Sequence, residues 1–321
     1  MQKKAIIFGA NGQDGFYLTK LLLDKNYEII SIFRDISNIN IHYFNNFISN
    51  VKAINVNHDS YDEINNVILY EKPDEIYNLA GQSSVGKSYT AVIDTFKSTA
   101  LLNIFILESI RNSSNLSKYF HASSSEIFGD HLGNFIDENS FFMPNNPYGI
   151  SKLSATNIVD FYRNNFNLYC VNGYLFNHES PMRSINFVTK KIVNAASLIK
   201  LRKLSALYIG NINIFRDWGW APDYVRAMWL MMQHNTPQNY IIATGKSVSL
   251  EYYIKNTFDY FDLDWRNHVV SDVNLYRPSE PLQVNANPNK AKIILNWIPT
   301  YYVENVIEEL CKITELEHQY L

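Results

Sequence analysis

Three stretches of this 321-residue chain place reactive side chains at spacings that chemistry can use. In "SSSEIFG", residues 123 to 129, a single carboxylate, Glu126, directly follows three serines, among them Ser124, that close a strand-like run. A carboxylate among hydroxyls is a candidate proton acceptor. In "YGISK", Tyr148 and Lys152 stand four residues apart. On a helix they share a face, so the ammonium is expected to lower the phenol pKa and make Tyr148 a base near neutrality. In "GANGQDG", Gly9, Gly12 and Gly15 fall between an apolar run and a helical pattern. Glycines there permit a tight turn and close approach of backbone to a pyrophosphate resting on a helix N-terminus. Their GxxGxxG spacing differs from the GxGxxG fingerprint, and the strand-turn-helix context supports a dinucleotide site. Arg34 and Asp35 end the second apolar run, the acid 20 positions beyond Gly15. Asp35 favours the ribose 2'-hydroxyl of NAD and Arg34 the 2'-phosphate of NADP, so the pair leaves the choice open.

These groups need a frame to hold them. Buried parallel strands are expected at 5–8, 28–33, 52–56, 75–80, 118–124 and 168–176, because each is a short apolar, β-branched run. Helical patterns such as "GFYLTKLLLDKN" and "STALLNIFILESIRN" lie between them. That alternation predicts an α/β fold with a doubly wound parallel sheet. No proline occurs in residues 1 to 72, whereas "MPNNP" (143–147) marks a loop before the Tyr-Lys helix.

Composition narrows the class further. The chain is 46% hydrophobic and 18% charged, enough for a large core, and its net charge of -3 offers no basic field for nucleic acid or anionic lipid. A small-molecule partner is expected. Cys170 and Cys311 are the only cysteines and have no ligand spacing, so neither a disulfide framework nor a metal site is expected. No apolar run approaches the ~20 residues of a membrane span, and "MQKKAIIFGANG" has no signal-like core. A cytoplasmic protein is the expectation.

Residues 9–15, 78–85 ("NLAGQSSV"), 122–129 and 147–152 resemble the extended short-chain dehydrogenase/reductase superfamily. "FNHESPMRSINFVTKKI" (176–192), "GNINIFRDWGWAPDYVRAMWLMMQ" (210–233), "YIIATG" (240–245), "YRPSE" (276–280) and "NKAKIILNW" (289–297) are similar to the GDP-mannose 4,6-dehydratase family over nearly the whole chain. The resemblance implies a Rossmann domain over 1–175 with a returning segment at about 208–243, and a smaller, interleaved nucleotide-sugar domain over 176–207 and 244–321. It implies a catalytic set of Ser124, Glu126, Tyr148 and Lys152, with Ser124 at the family threonine and Glu126 as the base that takes the C5 proton. It implies cofactor contacts from Gly9, Asn11, Gly12, Gln13, Asp14, Gly15, Arg34, Gln82, Ser83, Tyr148, Lys152, His178 and Arg183. Ser84, Glu126, Asn177, Lys191, Arg216 and Arg277 would bind the substrate.

Two positions depart from the family pattern. Asp35 and Met182 each stand where family members carry one of two paired arginines, which weakens NADP as the cofactor and leaves NAD open. The expectation is an NADP-dependent NDP-sugar 4,6-dehydratase, GDP-mannose its first substrate, assembled as a homodimer or homotetramer through the apolar helices near 91–110 and 150–165. A reductase or epimerase on the same scaffold, for which Glu126 would be unnecessary, is the first alternative. A noncatalytic dinucleotide-binding protein is the second.

Overall fold

A computed structural model describes residues 2–35, 48–114, 116–131 and 134–319. The first five strands are β1 (Lys4–Phe8), β2 (Glu28–Phe33), β3 (Lys52–Asn55), β4 (Glu75–Asn78) and β5 (Lys118–Ser124). They are followed by β6 (Phe135–Ile136), β7 (Cys170–Leu175), β8 (Asn177–Glu179), β9 (Leu207–Ile209) and β10 (Phe215–Trp220). The last are β11 (Tyr240–Ile242), β12 (Ser247–Ser249), β13 (Val269–Ser271) and β14 (Asn285–Ala286). A seven-stranded parallel sheet has the order β11-β7-β5-β4-β1-β2-β3. The order reverses between β1 and β4, which makes the crevice above their C-terminal ends the ligand site of a doubly wound sheet.

Helices cover both faces. On one, Leu18 and Leu22 of helix Gln13–Asp24 pack with Tyr224, Met228 and Met231 of helix Ala221–Gln233 against Ile7, Phe120 and Val171. On the other, Ile64, Ile106 and Val159 pack against Ile6, Ile30 and Ile76. The sequence reading of one helix over 98–112 is modified, since helices Val92–Phe96 and Leu102–Arg111 are joined by a π-helical turn, Lys97–Leu101. Single π turns of this kind occur often at functional sites. Here Ser98 accepts from Gln82 N at 3.3 Å, in the loop after β4.

A second core is built from the later half of the chain. Ile192, Ala196, Leu207, Trp218, Tyr253, Ile307 and Leu310 form its centre. Strands β8, β10 and β12 make a three-stranded sheet beside it. Leu207, Ile209, Ile214 and Trp218 belong to this second core, whereas Tyr224 to Met232 belong to the first. The chain therefore crosses back near Trp220, later than the expected 208, and Ala291, Leu295 and Trp297 also return to the first core. Among the described residues no helix is long and apolar enough to cross a membrane.

Candidate active site

Strand β1 ends at Phe8, and the chain turns at Gly9 with φ of +81°. A Cβ at Gly9 would lie 2.7 Å from Ala80 N, so backbone from β1 and β4 meets there only because the residue is glycine. Gly12 N donates to Gly9 O at 3.0 Å, and no side chain caps helix Gln13–Asp24. Its first N–H groups are thus available to a phosphate. Gly15 has a packing role, since a Cβ there would sit 2.4 Å from Gly9 O.

A cavity of about 560 Å³ opens over this turn, lined by Gly9, Asn11, Gly12, Arg34, Asp35 and Gln82 among others. Arg34 and Asp35 thus both face it. Ile36 and Ser37, the rest of the "FRDIS" stretch, lie outside the described residues. His58 also lines the cavity, and burial, with the Arg34 charge beside it, pushes its imidazole down to about 4. It is neutral at physiological pH.

A second cavity of about 200 Å³ adjoins the first through Gln82 and Gly81. It gathers Asp14, Gln82, Ser83, Ser84, Ser124, Glu126, Tyr148, Lys152, Asn177, His178, Arg183, Arg216 and Arg277. Helix Pro147–Phe166 carries Tyr148 and Lys152, both buried, and strand β5 with the 3-10 turn Ser125–Ile127 carries Ser124 and Glu126. Asn146 fastens the two together. Its Oδ1 accepts from Gly149 N at 2.8 Å as the helix cap, and its Nδ2 donates to Glu126 Oε2 at 2.8 Å.

The expected effect of Lys152 on Tyr148 takes a different form. Lys152 Nζ donates to Ala122 O at 2.7 Å and lies 5.8 Å from the Tyr148 ring centre. Burial dominates the phenol and pushes it up to about 12, opposed by a hydrogen bond with Ser124 and by the charge of Arg183. Burial also brings Lys152 down to about 8, with the Asp14 charge opposing. Helical spacing fixes which face the two residues share, but the carbonyl of β5 decides where the ammonium points.

Not every expected residue reaches a cavity. Gln13 turns its amide to His178 O at 3.0 Å and accepts from Ser180 Oγ at 2.8 Å. Lys191 donates to Tyr208 O at 2.8 Å and stands outside both cavities. His178 is a structural ion-pair partner as well as a cavity wall. Its Nδ1 is 2.7 Å from Phe176 O and its Nε2 3.0 Å from both Asp14 oxygens, an arrangement that suits an imidazolium. Burial disfavours that charge, but Asp14 outweighs it and raises the His178 pKa. Asp14 is likewise opposed by burial yet held below the usual carboxylate range by His178. Arg183 Nε lies 2.9 Å from Glu179 Oε2, and its guanidinium stacks 3.9 Å over Phe187.

Sequence reasoning missed Asn146 and Glu280. For Asn146 a signal existed, an Asn before a helix-starting Pro. For Glu280 there was none, because only the fold brings it 3.5 Å from Arg216 Nη2. Among the described residues, no cluster of three or more His, Cys, Asp or Glu could hold a metal ion.

A family model described as GDP-mannose 4,6 dehydratase matches residues 6–310. The chain is 38% identical over 321 residues to GDP-mannose 4,6 dehydratase 1 of Arabidopsis thaliana, covering 96% of this chain and 88% of that protein. Its fold is similar to that of RMD from Pseudomonas aeruginosa complexed with NADPH, with TM-score 0.83, 18% identity and coverage of 98% of this chain and 100% of the other. It is also similar to dTDP-glucose 4,6-dehydratase from Bacillus anthracis in complex with NAD, with TM-score 0.86, 18% identity and coverage of 99% and 98%.

Proposed function

The chain belongs to the GDP-mannose 4,6-dehydratase family, and from that premise we propose that it is a hydro-lyase converting GDP-mannose to GDP-4-keto-6-deoxymannose with a bound nicotinamide cofactor. The single observation that carries the reading is the meeting of Glu126 with Ser124, Tyr148 and Lys152 in one cavity that also holds Arg216 and Arg277. A reductase or epimerase has no need of the carboxylate.

The residues suit the cofactor: the Gly9 cradle that a Cβ would fill, the uncapped helix at Gly12 and the adjoining cavity form a continuous dinucleotide seat. A bound nicotinamide would supply the acceptor for the C4 hydride and its donor to C6. We assign it as NADP, through Arg34, with NAD admitted by Asp35. Gly9, Asn11, Gly12, Gln82 and Ser83 would hold its phosphate and ribose portions, and Arg183 and Lys152 its nicotinamide end.

Tyr148 takes the C4 hydroxyl proton as phenolate, a form that burial opposes in the free protein and that the positive ring of a bound oxidised cofactor would favour, while Ser124 hydrogen-bonds the same oxygen. Oxidation at C4 acidifies C5–H. Glu126, steadied by Asn146, removes that proton and assists departure of the 6-hydroxyl as water. Arg216 and Arg277 receive the diphosphate, and Asn177 and Ser84 lie within reach of the sugar end. The second core, with β8, β10 and β12, is the nucleotide-sugar domain.

We further propose a homodimer or homotetramer. Ile93, Ile150 and Phe161 support it, because they stand 72%, 43% and 51% exposed on helices Val92–Phe96 and Pro147–Phe166. A reducing cytoplasm fits the two unpaired buried thiols.

Mass spectrometry of reactions with GDP-mannose tests the activity, comparing the wild type with Glu126→Gln at catalytic NADP. The expected result is loss of one water in the wild type only. An isomerised or reduced sugar, or equal water loss by both proteins, would sink the role of Glu126.

A further inference from the structure

The cavity that gathers the site residues measures about 200 Å³. Pockets that take small molecules usually measure about 300–1,000 Å³, and a nucleoside diphosphate sugar is not a small member of that class. Part of the wall must therefore move to admit it. Arg277 belongs to that wall and sits on the loop 276–281, between the 3-10 turn Val273–Leu275 and β14.

The ends of this loop are tied to the substrate side of the molecule. Tyr276 N donates to Val273 O at 3.2 Å, Arg216 donates to Pro281 O at 2.9 Å, and Phe215 N donates to Leu282 O at 2.7 Å. Its middle crosses to the dinucleotide side. Ser279 Oγ donates to Asn145 O at 2.8 Å and lies 2.6 Å from the Tyr89 hydroxyl. A serine hydroxyl carries one proton, here given to Asn145, so the phenol of Tyr89 is the donor in the second bond. The two bonds run in one direction, from Tyr89 through Ser279 to Asn145, and such a chain strengthens itself.

Both anchors are firm. Asn145 directly precedes Asn146, the buried cap of helix Pro147–Phe166. Tyr89 directly follows helix Val85–Ser88, where Ser84 accepts from Lys87 N at 3.2 Å and Ser88 is fully buried. Neither Tyr89 nor Ser279 lines either cavity, so their hydroxyls act on the loop and not on a ligand.

We propose that the Tyr89–Ser279–Asn145 chain is a latch that holds the loop 276–281 closed over the substrate cavity, and that the nucleotide sugar enters and the product leaves when it opens. The inference rests on the reading of the substrate as a nucleoside diphosphate sugar, and it adds the element that gates its passage.

The test compares the wild type with Tyr89→Phe, which removes one hydroxyl, in the full chain loaded with NADP. Chymotryptic cleavage after Tyr276 and Leu282, 44% and 57% exposed, reads the population of open loop. Stopped-flow tryptophan fluorescence on mixing with GDP reads passage, since Trp218 lines the cavity. Cleavage is expected to quicken about threefold to tenfold, the range one intramolecular hydrogen bond supports. Association and dissociation of GDP quicken together by a similar factor, so that Kd changes less than either rate. A lost binding contact would instead raise dissociation alone. Ser279→Ala gives the same direction and stands in should Tyr89→Phe fail to fold, which thermal unfolding reports. In the double variant Tyr89→Phe should add nothing to Ser279→Ala. Unchanged cleavage or unchanged GDP rates in a folded variant, or equal effects of Tyr89→Phe with and without the Ser279 hydroxyl, overturn the latch. A wild type that gives no response to GDP overturns the substrate reading, and cleavage rates still decide whether the loop is latched.

Discussion

Replacing Asn146 separates two roles that one side chain performs. The residue is 2% exposed and joins the cap of helix Pro147–Phe166 to the carboxylate of Glu126. Asn146→Ala removes the cap, worth about 1 kcal/mol. It also removes a hydrogen bond to a charged acceptor, worth about 1.5–3 kcal/mol. The sum is roughly 2.5–4 kcal/mol, which lowers Tm by about 5 °C or more in a chain of this size. Asn146→Asp acts differently. Aspartate caps a helix as well as asparagine and favours its N-terminus, so about 1 kcal/mol of the loss is restored. The same aspartate sets a second carboxylate against Glu126 where a donor had been. General-base assistance is worth about 100-fold or more, and the Asp variant should forfeit most of it. The two measurements therefore cross: stability falls in the order wild type, Asp, Ala, and the rate of water loss in the order wild type, Ala, Asp. Thermal unfolding and chromatographic rates on the same preparations give both orders. If the rates follow the stabilities, Asn146 is a helix cap and nothing more.

Asp14→Asn leaves the imidazolium of His178 buried without its counter-charge and should cost about 3 kcal/mol by denaturant unfolding. Because the His178 pKa is raised on folding, its contribution is complete below about pH 6.5 and is lost as pH rises through the folded value. Asp14 is lowered, so its share is present above about pH 3.9 and is lost on acidification. Wild-type stability should thus decline above pH 6.5 with a slope that Asp14→Asn abolishes; an unchanged slope would remove His178 as its source. At the cofactor, Arg34→Ala should weaken NADP about tenfold and leave NAD nearly unaffected, whereas Asp35→Ser should do the reverse for NAD. Calorimetry in which Arg34→Ala weakens both equally would place Arg34 away from the 2'-phosphate.

Much of the sheet was legible because its strands are continuous apolar runs. β2 and β5 match the sequence reading, and β1 and β3 differ from it by one residue at one end. β11 was not, since three residues, Tyr240 to Ile242, carry no period of their own and become a strand only by pairing with β7. The π-helical turn Lys97–Leu101 was hidden for a similar reason. One extra residue in a turn barely disturbs an apolar helical pattern, and the turn becomes visible only where Ser98 meets the loop after β4. Within the site, glycine positions could be read because steric exclusion is local. Lys191 could not, because a long flexible cation goes to whichever acceptor the fold presents, here Tyr208 O.

The control of the phenol illustrates where local reasoning stops. Spacing of four on a helix puts Lys152 on the same face as Tyr148, yet the groups that oppose burial of the phenol are Ser124 and Arg183. The reason lies in the period of the neighbouring strand. Side chains of β5 alternate between the two faces of the sheet, so Tyr119 joins one core and Phe120 the other. Ser123 accordingly turns to Thr156 on helix Pro147–Phe166, at 2.7 Å, while Ala122 lies in the opposite core and Ser124 lines the cavity. Just past the strand end, the 3-10 turn adds Glu126 to the same wall. One short segment thus supplies the carbonyl that holds the lysine, the hydroxyl that meets the phenol, and the carboxylate. The helix brings the tyrosine to that wall, where burial outweighs Ser124 and Arg183 in setting its protonation. On the role proposed for Glu126, a serine at that position would leave the first two functions intact and remove the base, so water loss should cease while the fold and the Lys152 and Tyr148 contacts stay as they are.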